Sequence, residues 1–97
     1  MAKVLTMSEI AALANVAAGT ERKIVTPHTQ HAIYNPFFRR YEDVTICSVV
    51  IKETEAGKSS VWVCGYDNEN SFDYYRTYAG MNAIDKRFVV DLIKANI

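Results

Sequence analysis

Two runs of strand-forming residues, separated by a short turn, constrain the fold of this chain more than any other feature. The runs are DVTICSVVIKE at 43–53 and SSVWVCGYD at 59–67. β-Branched and aromatic residues of this kind favour strands, and a short connection joins strands that run antiparallel. If the loop has four residues, at 54–57, Cys47 lies directly opposite Cys64. The centre of the chain therefore predicts a β-hairpin.

A third strand is expected after this hairpin. In the segment SFDYYRTYAG at 71–80, every second residue belongs to one set of side chains: Phe72, Tyr74, Arg76 and Tyr78. A period of two is the period of a β-strand, and the residue types are strong strand formers. The same alternation sends Tyr75 to the opposite face, beside Trp62.

Helices are predicted at both ends of the chain. Thr6 and Glu9 fit a capping box, helical spacing continues to about residue 18, and Gly19 is well placed to end the helix. Near the other end Asn82 resembles a cap. The apolar residues that follow it recur at helical spacing: Ile84, Phe88 and Leu92.

The segment 20–43 is the least regular part of the sequence. Pro27 and Pro36 interrupt it, and no hydrophobic period persists between them. Because a structureless loop of this length is unusual in a compact domain, short extended pieces are expected at 23–26 and 32–34. The prediction is a single α+β domain over 1–97. It has an N-terminal helix, a three-stranded antiparallel β-meander that a fourth short strand from 20–43 would extend, and a C-terminal helix.

Both faces of the predicted sheet are apolar, whereas a sheet with one solvated face alternates apolar and polar residues. One face collects the 71–80 set with Val44, Ile46, Val50, Val61 and Val63. The other collects Cys47, Val49, Ile51, Trp62, Cys64, Tyr66 and Tyr75. A four-residue loop underlies this grouping, and a three- or five-residue turn would exchange the faces of one strand. Either both helices cover one face and leave the other for a partner or a second copy, or each helix covers one face of a plain monomer.

Charge and motif content exclude several functions. Eleven basic residues balance eleven acidic residues, so the chain lacks the positive excess typical of duplex-binding domains. The glycines form no phosphate-binding motif, and no cofactor is predicted. No apolar run is long enough to span a membrane. We expect a cytoplasmic protein, located in the host cytoplasm if a phage encodes it, whose two cysteines are free thiols.

The histidines of PHTQH, His28 and His31, are the nearest approach to a metal motif. On a helix their spacing would place both rings on one face, but Pro27 and the lack of helical pattern argue against that. No further Cys, Asp or Glu has ligand spacing. Neither a metal site nor an enzyme is predicted.

The segment YNPFFRRYED at 34–43 is the strongest candidate for partner binding, because aromatic residues and arginine dominate the energetic hot spots of protein interfaces. The predicted site consists of Tyr34, Phe37, Phe38, Arg39, Arg40 and Tyr41, with Tyr74, Arg76 and Tyr78 from the third strand. The arginines would pair with an acidic surface on the partner. In the alternative, the two phenylalanines anchor a long connection to the core while the arginines extend into solvent.

The leading hypothesis is a small non-enzymatic module that binds another protein, with homodimer formation as a further expectation. In its shortness, neutral charge and lack of motifs, the chain is similar to accessory proteins that bacteriophages use to block a host enzyme or defence complex.

A second hypothesis is a nucleic-acid-binding module that uses Arg39, Arg40, Arg76 and their aromatic neighbours. The α-β-β-β-α order matches double-stranded RNA-binding domains, but the lysine cluster that clamps phosphates is missing. A third is a small-molecule sensor or an unrecognised enzyme with a pocket near the histidines and cysteines.

Overall fold

The computed structural model describes residues 4–97, and this part of the chain forms two α-helices and one four-stranded antiparallel sheet. The elements are α1 (Met7–Leu13), β1 (Thr20–Asn35), β2 (Arg40–Glu53), β3 (Ser59–Asp67), β4 (Asp73–Thr77), a short 3-10 turn (Tyr78–Gly80) and α2 (Ala83–Asn96). The strand order is β1-β2-β3-β4, so each strand pairs with the next one along the chain. The predicted α+β class, the meander and the two terminal helices are confirmed.

The segment 20–43 contributes far more strand than the sequence pattern predicts. Most of it belongs to β1, which has 16 residues and pairs along its length with β2. Pro27 is tolerated because β1 is an edge strand, where the missing N–H removes no bond from a neighbour. The register shifts between Val25 and Thr29, and this irregularity accommodates the proline. The extended pieces expected at 23–26 and 32–34 both lie within β1, but their length was underestimated because the proline suggested a break in the strand.

A β-bulge in β2 places part of this strand on the opposite faces of the sheet from those predicted. Cys64 pairs with Ser48, and the register shifts between Ile46 and Ser48, so Cys47 is the extra residue. The predicted Cys47–Cys64 pairing is wrong. The turn has five residues, 54–58, because Glu53 pairs with Ser59. As a result Val49 and Ile51 join Val44 and Ile46 on the buried face, while Val50 moves to the opposite face beside Trp62.

Both helices have the caps that the sequence predicts, but α1 is shorter than expected. Thr6 accepts a hydrogen bond from the Glu9 backbone N–H at 3.1 Å, and the Glu9 carboxylate accepts one from the Thr6 N–H at 3.0 Å. Asn82 caps α2 by accepting from the Asp85 N–H at 2.8 Å. Helix α1 ends at Leu13 because Asn15, with φ of 55°, adopts the left-handed conformation expected of Gly19. Within residues 4–97, no helix combines the length and apolar character needed to cross a membrane.

Both helices pack on the same face of the sheet. Helix α1 contacts β2 and β3, and α2 contacts β1. Their buried residues form one cluster with the inward side chains of the strands, which include Ile33, Ile46, Val49, Val63 and Tyr74. The helices are therefore placed as in the first of the two predicted arrangements, and no helix within residues 4–97 covers the second face.

Candidate functional site

The connection between β1 and β2, residues 36–39, protrudes together with the first two residues of β2, and we call residues 36–41 the tip. Asn35 determines its shape, because its side-chain oxygen accepts hydrogen bonds from the backbone N–H groups of Phe37 at 2.9 Å and Phe38 at 3.3 Å. Asn35 is itself nearly buried. Arg39 completes the turn with φ of 53°. The tip is therefore a preformed turn held by a buried amide rather than a loose connection.

The aromatic side chains of the tip are in solvent. Phe37 is 85% exposed, Phe38 is 62% exposed and Tyr41 is 67% exposed. The Phe37 and Phe38 rings meet edge to face, with centroids 5.0 Å apart. Tyr34 and Tyr41 do the same across the two strands at 5.1 Å. The alternative in which the phenylalanines anchor the connection to the core does not fit these exposures.

The two arginines of the tip are exposed and, within residues 4–97, neither makes a salt bridge. The Arg40 guanidinium lies over the Phe38 ring, 5.5 Å from its centroid. A cation over an aromatic face is attracted to it but keeps its charge available to a further partner. Arg39 extends from the same turn, so the tip presents two phenylalanines and two cationic groups together.

A hollow of about 400 Å³ adjoins the tip and has acidic walls. Its lining consists of Arg40, Tyr41, Glu42, Asp43, Asp67, Glu69 and Asn70. Two of these carboxylates shape the neighbouring turn: Asp67 accepts from the Glu69 and Asn70 N–H groups, and Asp43 accepts from the Asn68 side chain. The surface around the tip is therefore electrostatically two-sided, cationic at the turn and acidic beside it.

The three site residues predicted from the third strand lie elsewhere. Tyr74 and Tyr78 are buried on the helix-covered face, and the Tyr78 hydroxyl donates to the Leu5 carbonyl at 2.6 Å. The Arg76 Nη1 donates to the Glu42 carboxylate at 2.9 Å, so the positive charge of Arg76 is paired with Glu42 at the margin of the core. These three residues support the fold. The tip contains five of the other six predicted residues, and the sixth, Tyr34, lies at its base in β1.

Electrostatics at this margin favour a neutral Tyr74. Its hydroxyl donates to the Glu42 carboxylate at 3.2 Å. Burial, followed by the nearby negative charge of Glu42, raises the pKa of Tyr74 from 10.0 to about 12, although the Arg76 guanidinium opposes the shift. Tyr74 therefore remains a neutral hydrogen-bond donor throughout the physiological range.

The two histidines lie on opposite faces of the sheet and do not form one site. His31 faces α2, where its ring stacks on Phe88 and its Nε2 lies 2.9 Å from the Asp85 carboxylate. His28 meets Tyr66 on the other face of the sheet. Within residues 4–97, no group of three or more His, Cys, Asp or Glu side chains is arranged to hold a metal ion. The two histidines named in the third sequence hypothesis therefore do not line one pocket.

Comparisons with known proteins add no further constraint. No protein-family model, curated protein or solved structure matched the chain. The surfaces of the molecule are therefore the basis on which a function can be proposed.

Proposed function

We propose that the chain is a protein-binding module that inserts its tip into an apolar hollow with an acidic rim on a partner protein. The observation that carries the proposal is the exposure of Phe37 and Phe38 beside two arginines that lack a carboxylate partner within residues 4–97. Aromatic rings and arginine are the residue types that dominate binding energy at protein interfaces. In the bound state the rings would leave water and the guanidinium groups would pair with partner carboxylates.

The preformed shape of the tip supports this proposal. Binding by a flexible loop loses free energy because side chains and backbone must be ordered in the complex. Here Asn35 already holds the Phe37 and Phe38 N–H groups, and the two rings contact each other. Less ordering would therefore accompany docking, and more of the interaction energy would appear as affinity.

A protein fits the tip better than a nucleic acid does. The net charge of the chain is zero, and the hollow beside the tip contains the carboxylates of Asp43, Asp67 and Glu69. These carboxylates would repel a phosphate backbone, whereas a protein surface can present acidic groups to the arginines and basic or neutral groups to the hollow. Blocking of a host enzyme by a phage-type inhibitor is one form of such binding, for which a protruding hairpin that enters an enzyme cleft is a suitable shape.

A matched pair of charge-reversal variants tests the proposal. The tip variant is Arg39→Glu/Arg40→Glu, and the control is Lys58→Glu/Lys94→Glu, which changes the net charge equally at two exposed lysines in the β2–β3 turn and in α2. Each tagged chain is used for affinity capture from the source cells with quantitative mass spectrometry. We expect the partner that wild type and the control retain to bind the tip variant roughly tenfold or more weakly. Equal retention by all three chains would overturn the proposal.

A further inference from the structure

The face of the sheet opposite the helices, here called the open face, has an apolar centre. Its apolar side chains come from all four strands: Val25, Val50, Trp62, Cys64, Tyr66 and Tyr75. Ser48, which is 4% exposed, lies between Val25 and Cys64. Val25 is 70% exposed and Tyr75 is 59% exposed, and both are far from the tip in register. Trp62 and Tyr75 stack on each other with centroids 4.4 Å apart and an angle of 9°. An apolar patch built across a whole sheet is typical of a surface that another chain covers.

We propose that a second copy of this chain covers the open face, so that the protein is a homodimer of two sheets packed face to face. This inference is independent of the proposed function of the tip, because it depends on a different surface. In a twofold dimer the same patch serves both copies, and the stacked Trp62–Tyr75 pair of each copy would bury against the other sheet.

The size of the open face matches what a stable dimer needs. The four strands have 16, 14, 9 and 5 residues. Without Arg40 and Tyr41, which belong to the tip, the strands at about 3.3 Å per residue and about 4.8 Å between strands cover roughly 670 Å², with the sheet treated as flat. A standard protein interface buries about 800 Å² on each partner. The whole face is therefore sufficient for one copy, and no additional domain is required to fill it.

Two of the charges at the margin of the open face, Lys23 and Asp73, can pair between two copies. Lys23 of β1 pairs with Val50, whereas Asp73 of β4 pairs with Tyr66, which places the two charges at diagonally opposite corners of the apolar centre. A twofold axis that lies parallel to the sheet can therefore set Lys23 of one copy over Asp73 of the other. The net charge of zero adds no overall repulsion between the copies.

A nucleic acid would find less favourable chemistry on the same face. Single-stranded binding uses aromatic rings whose faces are free to stack on bases, together with a cationic groove for phosphates. Here Trp62 and Tyr75 stack on each other, and Lys52 is paired with Glu21 at 3.6 Å. The open face thus resembles half of a sheet-on-sheet core more than a base-stacking platform.

Trp62 makes the proposal directly measurable, because it is the only tryptophan in the chain. Sedimentation velocity of the full chain from low micromolar to near-millimolar concentration should show a monomer–dimer equilibrium, with a blue shift of tryptophan emission as the dimer forms. Tyr75→Glu should weaken dimerisation at least tenfold. Phe37→Ser at the tip should leave it unchanged, so failure of the dimer and failure of the tip proposal are distinguishable.

A charge-swap series identifies the partner as a second copy. Lys23→Asp and Asp73→Lys should each weaken the dimer severalfold, and the double variant should recover most of the loss because the pair is restored with opposite polarity. Lys23 and Asp73 are both exposed, so these substitutions should leave the fold intact, and circular dichroism checks this. A monomer at near-millimolar concentration would overturn the proposal. So would a single-stranded oligonucleotide that shifts Trp62 emission in wild type but not in Tyr75→Glu, because the face would then bind nucleic acid.

Discussion

At the scale of single residues, Gly65 shows how closely two strands approach in this sheet. A Cβ atom added there would lie 1.9 Å from the Thr45 carbonyl oxygen and 2.8 Å from its carbonyl carbon, and both are backbone atoms that cannot move aside. The same region contains the bulge at Cys47, so the glycine and the bulge together let β2 coil over β3. A lone glycine within a strand pattern is the sequence signal for such an approach.

Gly65→Ala should therefore destabilise the protein by about 3 kcal/mol or more, because the backbone must shift to accept the methyl group. Gly80→Ala is the matched control, since its nearest contact would be the Thr77 hydroxyl at an ordinary 3.5 Å. The control should change the free energy of unfolding by no more than about 0.5 kcal/mol. Urea unfolding monitored by circular dichroism measures both, and equal effects would contradict the close approach.

Tyr74 predicts a loss of stability at high pH. Because its pKa is raised from 10.0 in the unfolded chain to about 12 in the fold, the neutral phenol is the form that the native state favours. The stabilisation that Tyr74 contributes to the fold is fully present below pH 10 and is lost as the pH rises toward about 12. Tyr74→Phe should reduce this part of the pH dependence, as measured by urea unfolding below pH 10 and near pH 12. If wild type and Tyr74→Phe lost the same free energy of unfolding over this pH range, Tyr74 would not be the titrating group.

At the scale of elements, one buried carboxylate joins α2 to β1. Asp85 lies in the first turn of α2, and its side chain is only 3% exposed. One oxygen is 2.9 Å from the His31 Nε2, and the other accepts the Tyr34 backbone N–H at 2.9 Å. The contact at Tyr34 satisfies a backbone group of the edge strand at the base of the tip. The helix therefore supports the hairpin that carries the proposed binding site.

Asp85→Ala should cost about 3 kcal/mol of unfolding free energy, because both contacts are lost and buried polar groups remain unpaired. Asp85→Asn keeps one carbonyl acceptor and should lose less. Asp91→Ala, at an exposed position in the same helix, is the control and should stay within about 0.5 kcal/mol of wild type. Thermal and urea unfolding provide the measurement. A change as small as that of the control would mean that the helix is held by apolar packing alone.

At the scale of the whole molecule, local chemistry was predictable from the sequence and long-range geometry was not. The capping box at Thr6, the Asn82 cap and the approach of Tyr75 to Trp62 depend on spacing within a few residues or on simple alternation. The long β1 was missed because edge position, which makes Pro27 tolerable, is decided by distant pairing. The bulge at Cys47 was missed because one extra residue changes every later face while leaving the composition of the strand unchanged.

For the candidate site, too, the part that depends on local sequence was predicted, and the part that depends on long-range geometry was not. The residues of the tip are contiguous in sequence, so the prediction that they lie together needed only a turn at Pro36. Tyr74 and Tyr78 were grouped with them because alternation shows which side chains share a face but does not show which face the helices cover. The helices cover that face, and within residues 4–97 the tip and the open face remain uncovered. The tip is the proposed site for a partner, and the open face is the proposed site for a second copy.

The most direct test of the central claim is site-specific photo-crosslinking from the tip. A photo-reactive phenylalanine analogue replaces Phe37 in the full chain, and the same analogue at Lys58, in the turn at the other end of the sheet, is the control. After irradiation in the source cells, position 37 is predicted to crosslink one partner protein, and excess untagged wild type should suppress the product. Position 58 should give no such product. Crosslinking of the same proteins with equal yield from both positions, or of none from position 37, would contradict the account.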